Sequence, residues 1–171
     1  YVEIPVDEPY DIVLTHGGFV SINHYQAVKP ALVALEALAP GGWLYLPAAN
    51  TDADPVGSPR YRTLVHLLRM IGPEAFTRLL FSDEWTFLPD QWEVQSWAKL
   101  DAALAREKFV YYSPQCSPAD YEIVPGTDGN TLLGEAHRYT NDSAHVERVL
   151  DAFVARARAE LASRGVERPR I

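Results

Sequence analysis

The segment WLYLPAA at residues 43–49 most constrains the fold of this chain, because it places apolar or aromatic side chains on both faces of one strand. A strand that is buried on both faces is typical of a parallel sheet covered by helices. A β-branched run at residues 11–15 precedes it, and an apolar pattern of helical spacing from Val28 to Ala39 lies between the two. The order predicts a strand–helix–strand unit.

The same periodicities predict the remaining elements. Pro40-Gly41-Gly42 is expected to end the first helix, and Asp142 or Ser143 to cap the last one. Together the elements predict a three-layer, Rossmann-like α/β domain with a mostly parallel sheet and helices on both faces, formed by residues 1–171 as one domain. Helices are predicted at about residues 60–71, from Pro73, at 88–106 and at 144–164, and strands at 108–113 and 121–126.

Composition and charge limit the possible partners. The net charge of -8 argues against nucleic acid and acidic membranes as partners. The single cysteine, Cys116, excludes an internal disulfide and a multi-cysteine metal site. With no apolar run near the roughly 20 residues of a membrane span and no signal peptide, a cytoplasmic protein is expected. The chain opens without Met on an apolar pattern at residues 1–6, which we interpret as a piece of a longer protein.

A glycine pair, Gly17-Gly18, follows the first predicted strand. The loops after parallel strands lie at the carboxyl edge of the sheet, where ligands bind in open α/β folds. Backbone N–H groups at such a pair could approach a phosphate or a carboxylate of a cofactor. The surrounding sequence matches neither common nucleotide-binding fingerprint, so an ordinary tight turn is the alternative.

Tyr25, Gln26 and Lys29 are the most informative polar set. Their spacing brings all three to one surface of a helix. A Lys ammonium and a Gln amide together suit a substrate carboxylate, and the alternative is a solvated helix face. Pro30 cannot donate a hydrogen bond to the Gln26 carbonyl, so the regular helix is predicted either to begin near Pro30 or to be kinked there.

Other candidates near the same edge have two interpretations each. His16 and His24 could be bases or metal ligands, or simply polar loop residues. Asp52 and Asp54 could serve carboxylate chemistry, although loop acids explain them as well. Trp92, at the start of a predicted helix, could belong to the core or form the wall of a ligand pocket.

Four elements in this order resemble the C-terminal domain of the lactate racemase family, whose members use the nickel-pincer nucleotide cofactor. They are Gly17-Gly18, the Asn-His-Tyr-Gln-Ala-Val-Lys segment at residues 23–29, Pro40-Gly41-Gly42 and Gln91-Trp92. The resemblance covers residues 10–115, and the order of the four elements is more specific than any one of them.

The resemblance implies a two-domain racemase or epimerase with its active site between the domains. A missing N-terminal domain would hold the nickel-pincer nucleotide and the catalytic histidines, so this chain alone would contain no catalytic residue and be inactive. Gln26 and Lys29 would bind a 2-hydroxy acid, with Tyr25 and Trp92 as pocket walls. Hydride would leave the substrate C2 for the cofactor and return to either face, while Lys29 holds the carboxylate.

Two stretches depart from the family pattern. Residues 19–21 read Phe-Val-Ser where the family more often has a Pro and an Asp, and residues 50–52 read Asn-Thr-Asp in an atypical acidic loop. These differences argue against strict lactate specificity and suggest a 2-hydroxy acid that is lactate-like or larger.

Two other functions are compatible with parts of the sequence. The segment LAPGGWLYL is similar to a strand of S-adenosylmethionine-dependent methyltransferases, but the glycine-rich loop that would precede it is absent. A non-catalytic α/β module that binds another protein through the surface around His24, Tyr25 and Gln26 is the second alternative.

Overall fold

A computed structural model describes residues 5–136, 140 and 142–171 of the chain. The first four residues of the opening segment therefore lie outside the described residues. Two short 3-10 turns, at Arg106–Lys108 and Gly129–Leu133, accompany the main elements. The strands are β1 (Tyr10–Leu14), β2 (Leu38–Pro47), β3 (Phe109–Tyr112) and β4 (Thr127–Asp128), and the helices are α1 (His24–Glu36), α2 (Pro59–Ile71), α3 (Pro73–Leu80), α4 (Gln91–Ala103), α5 (Pro118–Ile123) and α6 (Ser143–Ser163).

The four strands form one parallel sheet in the order β1-β2-β3-β4. Each strand therefore lies beside the next one in sequence. All loops that follow a strand leave from the same edge, as in other parallel α/β sheets. The start of α1 and the segment after β2 lie at this carboxyl edge.

Helices cover both faces of the sheet, which confirms the predicted three-layer fold. Alternate residues of β2 enter different cores, with Leu44 and Leu46 on one face and Trp43 and Tyr45 on the other. Helices α1 to α5 pack on the first face, and α6 packs on the second, together with Leu132 and Leu133 of the second 3-10 turn. Residues 43–49 are thus apolar on both faces because helices cover both faces of the strand, as the sequence predicted.

The predicted stop signal, Pro40-Gly41-Gly42, is wrong as the end of α1, because these residues lie inside β2. The register pairs Tyr10 with Leu38 and Ile12 with Trp43, so β2 carries extra residues between two close pairs. A Cβ on Gly42 would lie 2.8 Å from the main chain of β1. The glycine therefore permits the irregular strand and does not terminate the helix.

The predicted strand at residues 121–126 is also wrong. Residues Pro118–Ile123 form α5, and the fourth strand is the short β4 that follows. A capping box explains the helix, since the Ser117 side chain accepts from the Asp120 backbone while the Asp120 side chain accepts from the Ser117 backbone. Local capping outweighs the β-branched composition of this segment.

The last helix forms at the predicted place. Asp142 is its N-cap and accepts a hydrogen bond from the Ala144 N–H at 3.2 Å. Its apolar stripe includes Val149, Phe153 and Leu161, which are buried against the second face of the sheet. In the part of the chain that the structure describes, neither α6 nor any other helix has the length and apolar character needed to cross a bilayer.

Candidate functional site

Helix α1 begins at His24, six residues before Pro30, so the predicted start near Pro30 is wrong. Asn23 is the N-cap, and its Oδ1 accepts from the Gln26 N–H at 3.1 Å. The N–H groups of His24 and Tyr25 donate to backbone carbonyls of the segment after β2, at 2.8 and 3.2 Å. The first turn is thus capped by Asn23 and by this segment, and Pro30 lies in the interior of the helix.

The acids of the segment after β2 hold that cap in place. Asp52 accepts a hydrogen bond from the Asn23 side chain at 2.8 Å. Asp54 accepts from Arg62 Nε at 2.7 Å and from two backbone N–H groups. Burial raises the pKa of Asp54, but the hydrogen bonds from Arg62 and from this backbone outweigh it and leave the pKa lowered. These acids serve the loop, as the alternative interpretation of the sequence held.

The four side chains predicted to bind substrate lie together on one surface, built by the first turns of α1 and α4. Lys29 Nζ donates to Gln26 Oε1 at 2.7 Å, and the Lys29 side chain is 60% exposed. Tyr25 packs edge-on against Tyr61, with ring centroids 5.2 Å apart. We call the set Tyr25, Gln26, Lys29, Trp92 and Glu93 the α1–α4 surface.

Trp92 is a surface residue and not part of the core, since it is 45% exposed. Its ring stacks on Phe87 with a centroid distance of 6.0 Å and an interplanar angle of 15°. The preceding loop is held by Gln91, whose Oε1 accepts from Trp85 Nε1 at 3.0 Å and from the Leu88 N–H at 2.8 Å. The aromatic pair is therefore presented by a supported segment.

The Tyr25 hydroxyl is a neutral group at this surface. Burial raises its pKa, a hydrogen bond from the Trp92 side chain lowers it, and the carboxylates of Glu93 and Asp90 raise it further. The net shift is upward. Tyr25 can therefore donate or accept a hydrogen bond near neutral pH but does not supply a phenolate.

Glu93 is a member of the surface that sequence reasoning missed. Its side chain is only 9% exposed, and its Oε1 lies 3.9 Å from Lys29 Nζ. Burial raises its pKa, whereas Lys29 and the Trp92 side chain lower it. The sequence feature that could have identified Glu93 is its position directly after Trp92. Its neighbour in α4, Val94, is also buried.

His24 is a core residue, so both interpretations offered by the sequence are wrong. Its ring is fully buried, stacks on Trp97 with centroids 4.2 Å apart, and shares a 2.8 Å hydrogen bond between Nδ1 and the Tyr61 hydroxyl. Burial and then the Arg62 charge lower its pKa to about 3. His16, in contrast, is exposed at the glycine turn.

The glycine pair is required by the turn that it forms. A Cβ on Gly17 would lie 2.3 Å from the Ser21 Cβ, and Gly18 has a φ of +53°. The Gly17 N–H donates to the Pro47 carbonyl at 2.9 Å. Gly18 also borders a pocket of 170 Å³ between the carboxyl ends of β2 and β3 and the start of α6. Cofactor binding by Gly17 and Gly18 stays a prediction.

The positions of the donor groups bear on metal binding by the described residues. Within residues 5–136, 140 and 142–171, no three His, Cys, Asp or Glu side chains lie together as a metal site. The thiol of Cys116 is buried, and this burial is the main reason why its pKa is raised to about 12. The described residues therefore do not fit a nickel centre.

The parallel sheet, the helices on both faces and the polar surface at its carboxyl edge define a Rossmann-like α/β domain. No family model and no curated protein matches the sequence.

Among solved structures, the fold is similar to that of the lactate racemase apoprotein from Thermoanaerobacterium thermosaccharolyticum, with a TM-score of 0.58 and 22% identity. The match covers 79% of this chain and 32% of that one. The chain thus spans about a third of the length of that protein. At this level of identity the likeness establishes the fold.

Proposed function

We propose that this chain is the substrate-binding domain of a nickel-pincer nucleotide-dependent racemase or epimerase that acts on a 2-hydroxy acid. The observation that carries the proposal is the exposed Lys29 ammonium, 2.7 Å from Gln26 Oε1 and next to the aromatic side chains of Tyr25 and Trp92. The likeness in fold to part of a lactate racemase apoprotein supports it.

The chemistry of the pair suits a carboxylate. A Lys ammonium has three donors, and Gln26 Oε1 accepts one of them. The other two can be donated to a ligand carboxylate, while the NH₂ group of Gln26 is a donor for a carboxylate or a 2-hydroxyl oxygen. Trp92 and the neutral Tyr25 would border the ligand and orient it, which is the role of a positioning site.

In the proposed enzyme, the cofactor is bound by another part of the protein. When bound, a nickel-pincer nucleotide would supply the acceptor for hydride from the substrate C2. As the resemblance to the lactate racemase family implies, the proposal assigns the cofactor and the proton-transferring groups to a separate N-terminal domain of the same protein. The residues of this chain would bind the 2-hydroxy acid and hold it in place, and the chain alone would be inactive.

The methyltransferase alternative gains no support from the fold. The segment LAPGGWLYL on which it depends lies within β2, with its Pro40-Gly41-Gly42 towards the amino end. The first turns of α1 and α4 lie at the opposite edge, where ligands of parallel α/β sheets bind.

The proposal predicts that the chain binds lactate, used as a small 2-hydroxy acid probe, at the α1–α4 surface. In an NMR titration with L-lactate and D-lactate, the indole N–H signal of Trp92 should shift. Lys29→Ala should weaken binding by about tenfold, as expected for the loss of a charged hydrogen-bond donor. Gln26→Ala should weaken it by a smaller factor.

Two substitutions outside the surface serve as controls. Lys99→Ala removes an exposed ammonium further along α4, and Gln115→Ala removes an exposed amide after β3. Both should leave lactate affinity unchanged. Equal affinity in the wild type, Lys29→Ala and Gln26→Ala would refute the assignment.

A further inference from the structure

The α1–α4 surface has an unusual balance of charge for a site that would bind an anion. Its exposed ammonium, Lys29, lies 3.9 Å from the carboxylate of Glu93. A second carboxylate, Asp90, lies at the start of α4 and accepts from the Ser58 hydroxyl at 3.2 Å. Both carboxylates act on the Tyr25 hydroxyl, since each raises its pKa.

The side chain of Glu93 is largely buried, so its charge is poorly screened. It lies on the buried side of α4, which packs against α1, and its side chain is 9% exposed. Lys29 is far more exposed, so its ammonium can turn towards a ligand while the Glu93 carboxylate stays beneath it. Charges that are held away from water interact more strongly than exposed ones.

We propose that Glu93 is a specificity-determining residue that restricts this surface to 2-hydroxy acids with one carboxylate and an uncharged side chain. The inference rests on the proposed function. A ligand with a single carboxylate would share the Lys29 ammonium with Glu93. A second negative charge on the ligand would be repelled by Glu93 and Asp90, and the cation that acts on Glu93 in the described part of the chain is Lys29.

The aromatic side of the surface fits the same class of ligand. Phe87 and Trp92 are both exposed and stack on each other, so they present apolar area beside the Lys29–Gln26 pair. An apolar substituent at C2 can bury surface against these rings, whereas a charged one would lose hydration there. The geometry thus favours a ligand with a neutral side chain over a ligand with an acidic one.

The test compares two anions that differ by one charge. L-Lactate carries one carboxylate, and 3-sulfolactate adds a sulfonate that remains ionised at every pH used. Both are titrated into the chain at pH 7 and followed by NMR, for the wild type, Glu93→Gln and the control Glu84→Gln, which neutralises an exposed acid in the loop before α4. The wild type should prefer lactate, and Glu93→Gln should reduce this preference by about threefold to tenfold. Glu84→Gln should not change it.

A pH profile of the wild type tests the same inference without a substitution. Burial raises the pKa of Glu93, so its protonation between neutral and acid pH should relax the preference for lactate. The groups that face Glu93 are Lys29 and Tyr25 from α1 and Tyr61 from α2. On α3, Glu74 and Arg78 border a pocket with Asp101, towards the other end of α4. In Glu93→Gln the preference for lactate should depend on pH less than in the wild type.

The outcomes separate the two proposals. If the wild type binds lactate but its preference over 3-sulfolactate is the same in Glu93→Gln and at all pH values, the role of Glu93 is refuted and the proposed function stands. A wild type that prefers 3-sulfolactate also refutes it. If the wild type binds neither anion, both proposals fail.

Discussion

The start of α1 contributes to two neighbouring regions, one buried in the core and one exposed to solvent. Beneath it, His24 packs with Tyr61 and Trp97 in a fully buried aromatic cluster. Above it, Gln26 and Lys29 meet solvent beside Trp92. We call the set His24, Tyr61 and Trp97 the His24 cluster.

The comparison shows that a reactive residue type and a strongly shifted pKa do not by themselves mark a binding site. A strong shift belongs to the buried region, where desolvation lowers the pKa of His24 to about 3 and keeps its ring neutral. Lys29, in contrast, has an exposed ammonium and is the group proposed to bind an anion. A titratable side chain that is buried contributes to core packing, whereas one that is partly exposed remains available to a ligand.

The two tryptophans of α4 offer the strongest test of this difference. Trp97→Ala should lower the free energy of unfolding by about 3–5 kcal/mol, because it removes a fully buried ring from the His24 cluster. Trp92→Ala should lower it by less than about 1 kcal/mol, because Trp92 is largely at the surface. Urea denaturation of both variants measures the two values. Equal losses of unfolding free energy in the two variants would contradict the described difference in burial between the two regions.

The His24 cluster should also make the protein sensitive to acid. The pKa of His24 in the folded chain, about 3, lies below its usual 6.5, so the unfolded chain takes up a proton first as the pH falls. The stabilising contribution is complete above pH 6.5 and is lost towards pH 3. Its slope is at most about 1.4 kcal/mol per pH unit.

Urea denaturation between pH 7 and pH 4.5 measures that slope. His24→Gln should show a smaller dependence on pH than the wild type, whatever its stability at pH 7. The control His66→Gln, at an exposed position of α2, should keep the slope of the wild type. If His24→Gln and the wild type lose stability in parallel, the histidine is not the buried neutral group described above.

The smallest effect is expected for Lys29. Lys29→Ala should change the free energy of unfolding by no more than about 0.5 kcal/mol, because the ion pair that it loses includes an exposed side chain. Thermal and urea unfolding against Lys99→Ala would measure the difference. A large loss of stability would mean that Lys29 serves the fold rather than a ligand.

Several elements could be predicted from the sequence because local signals determine them. The first strand, α2, α3, the strand before residue 113 and α6 lie within about a residue or two of their predicted positions, as apolar periodicity and caps predict. The grouping of Tyr25, Gln26 and Lys29 follows from helical spacing. Trp92 joins them because α1 and α4 pack together, each with its first turn at this surface.

Other features could not be predicted because they depend on contacts far apart in the chain. Helix α1 begins at His24, well before Pro30, where backbone carbonyls of Pro55 and Val56 cap its first turn. Gly42 lies within a strand because β1 passes too close for a Cβ. Neither partner segment is adjacent to the residue that it constrains.

The sequence by itself determined the fold class and the common surface of Tyr25, Gln26 and Lys29, since both follow from side chains repeated at helical or strand spacing. Only the tertiary structure decided which polar residues are exposed. It placed His24 in the core and brought the buried carboxylate of Glu93 to within 3.9 Å of Lys29. The physical reason is desolvation, because burial depends on which elements pack together, and it sets both the charge of a group and its access to a ligand.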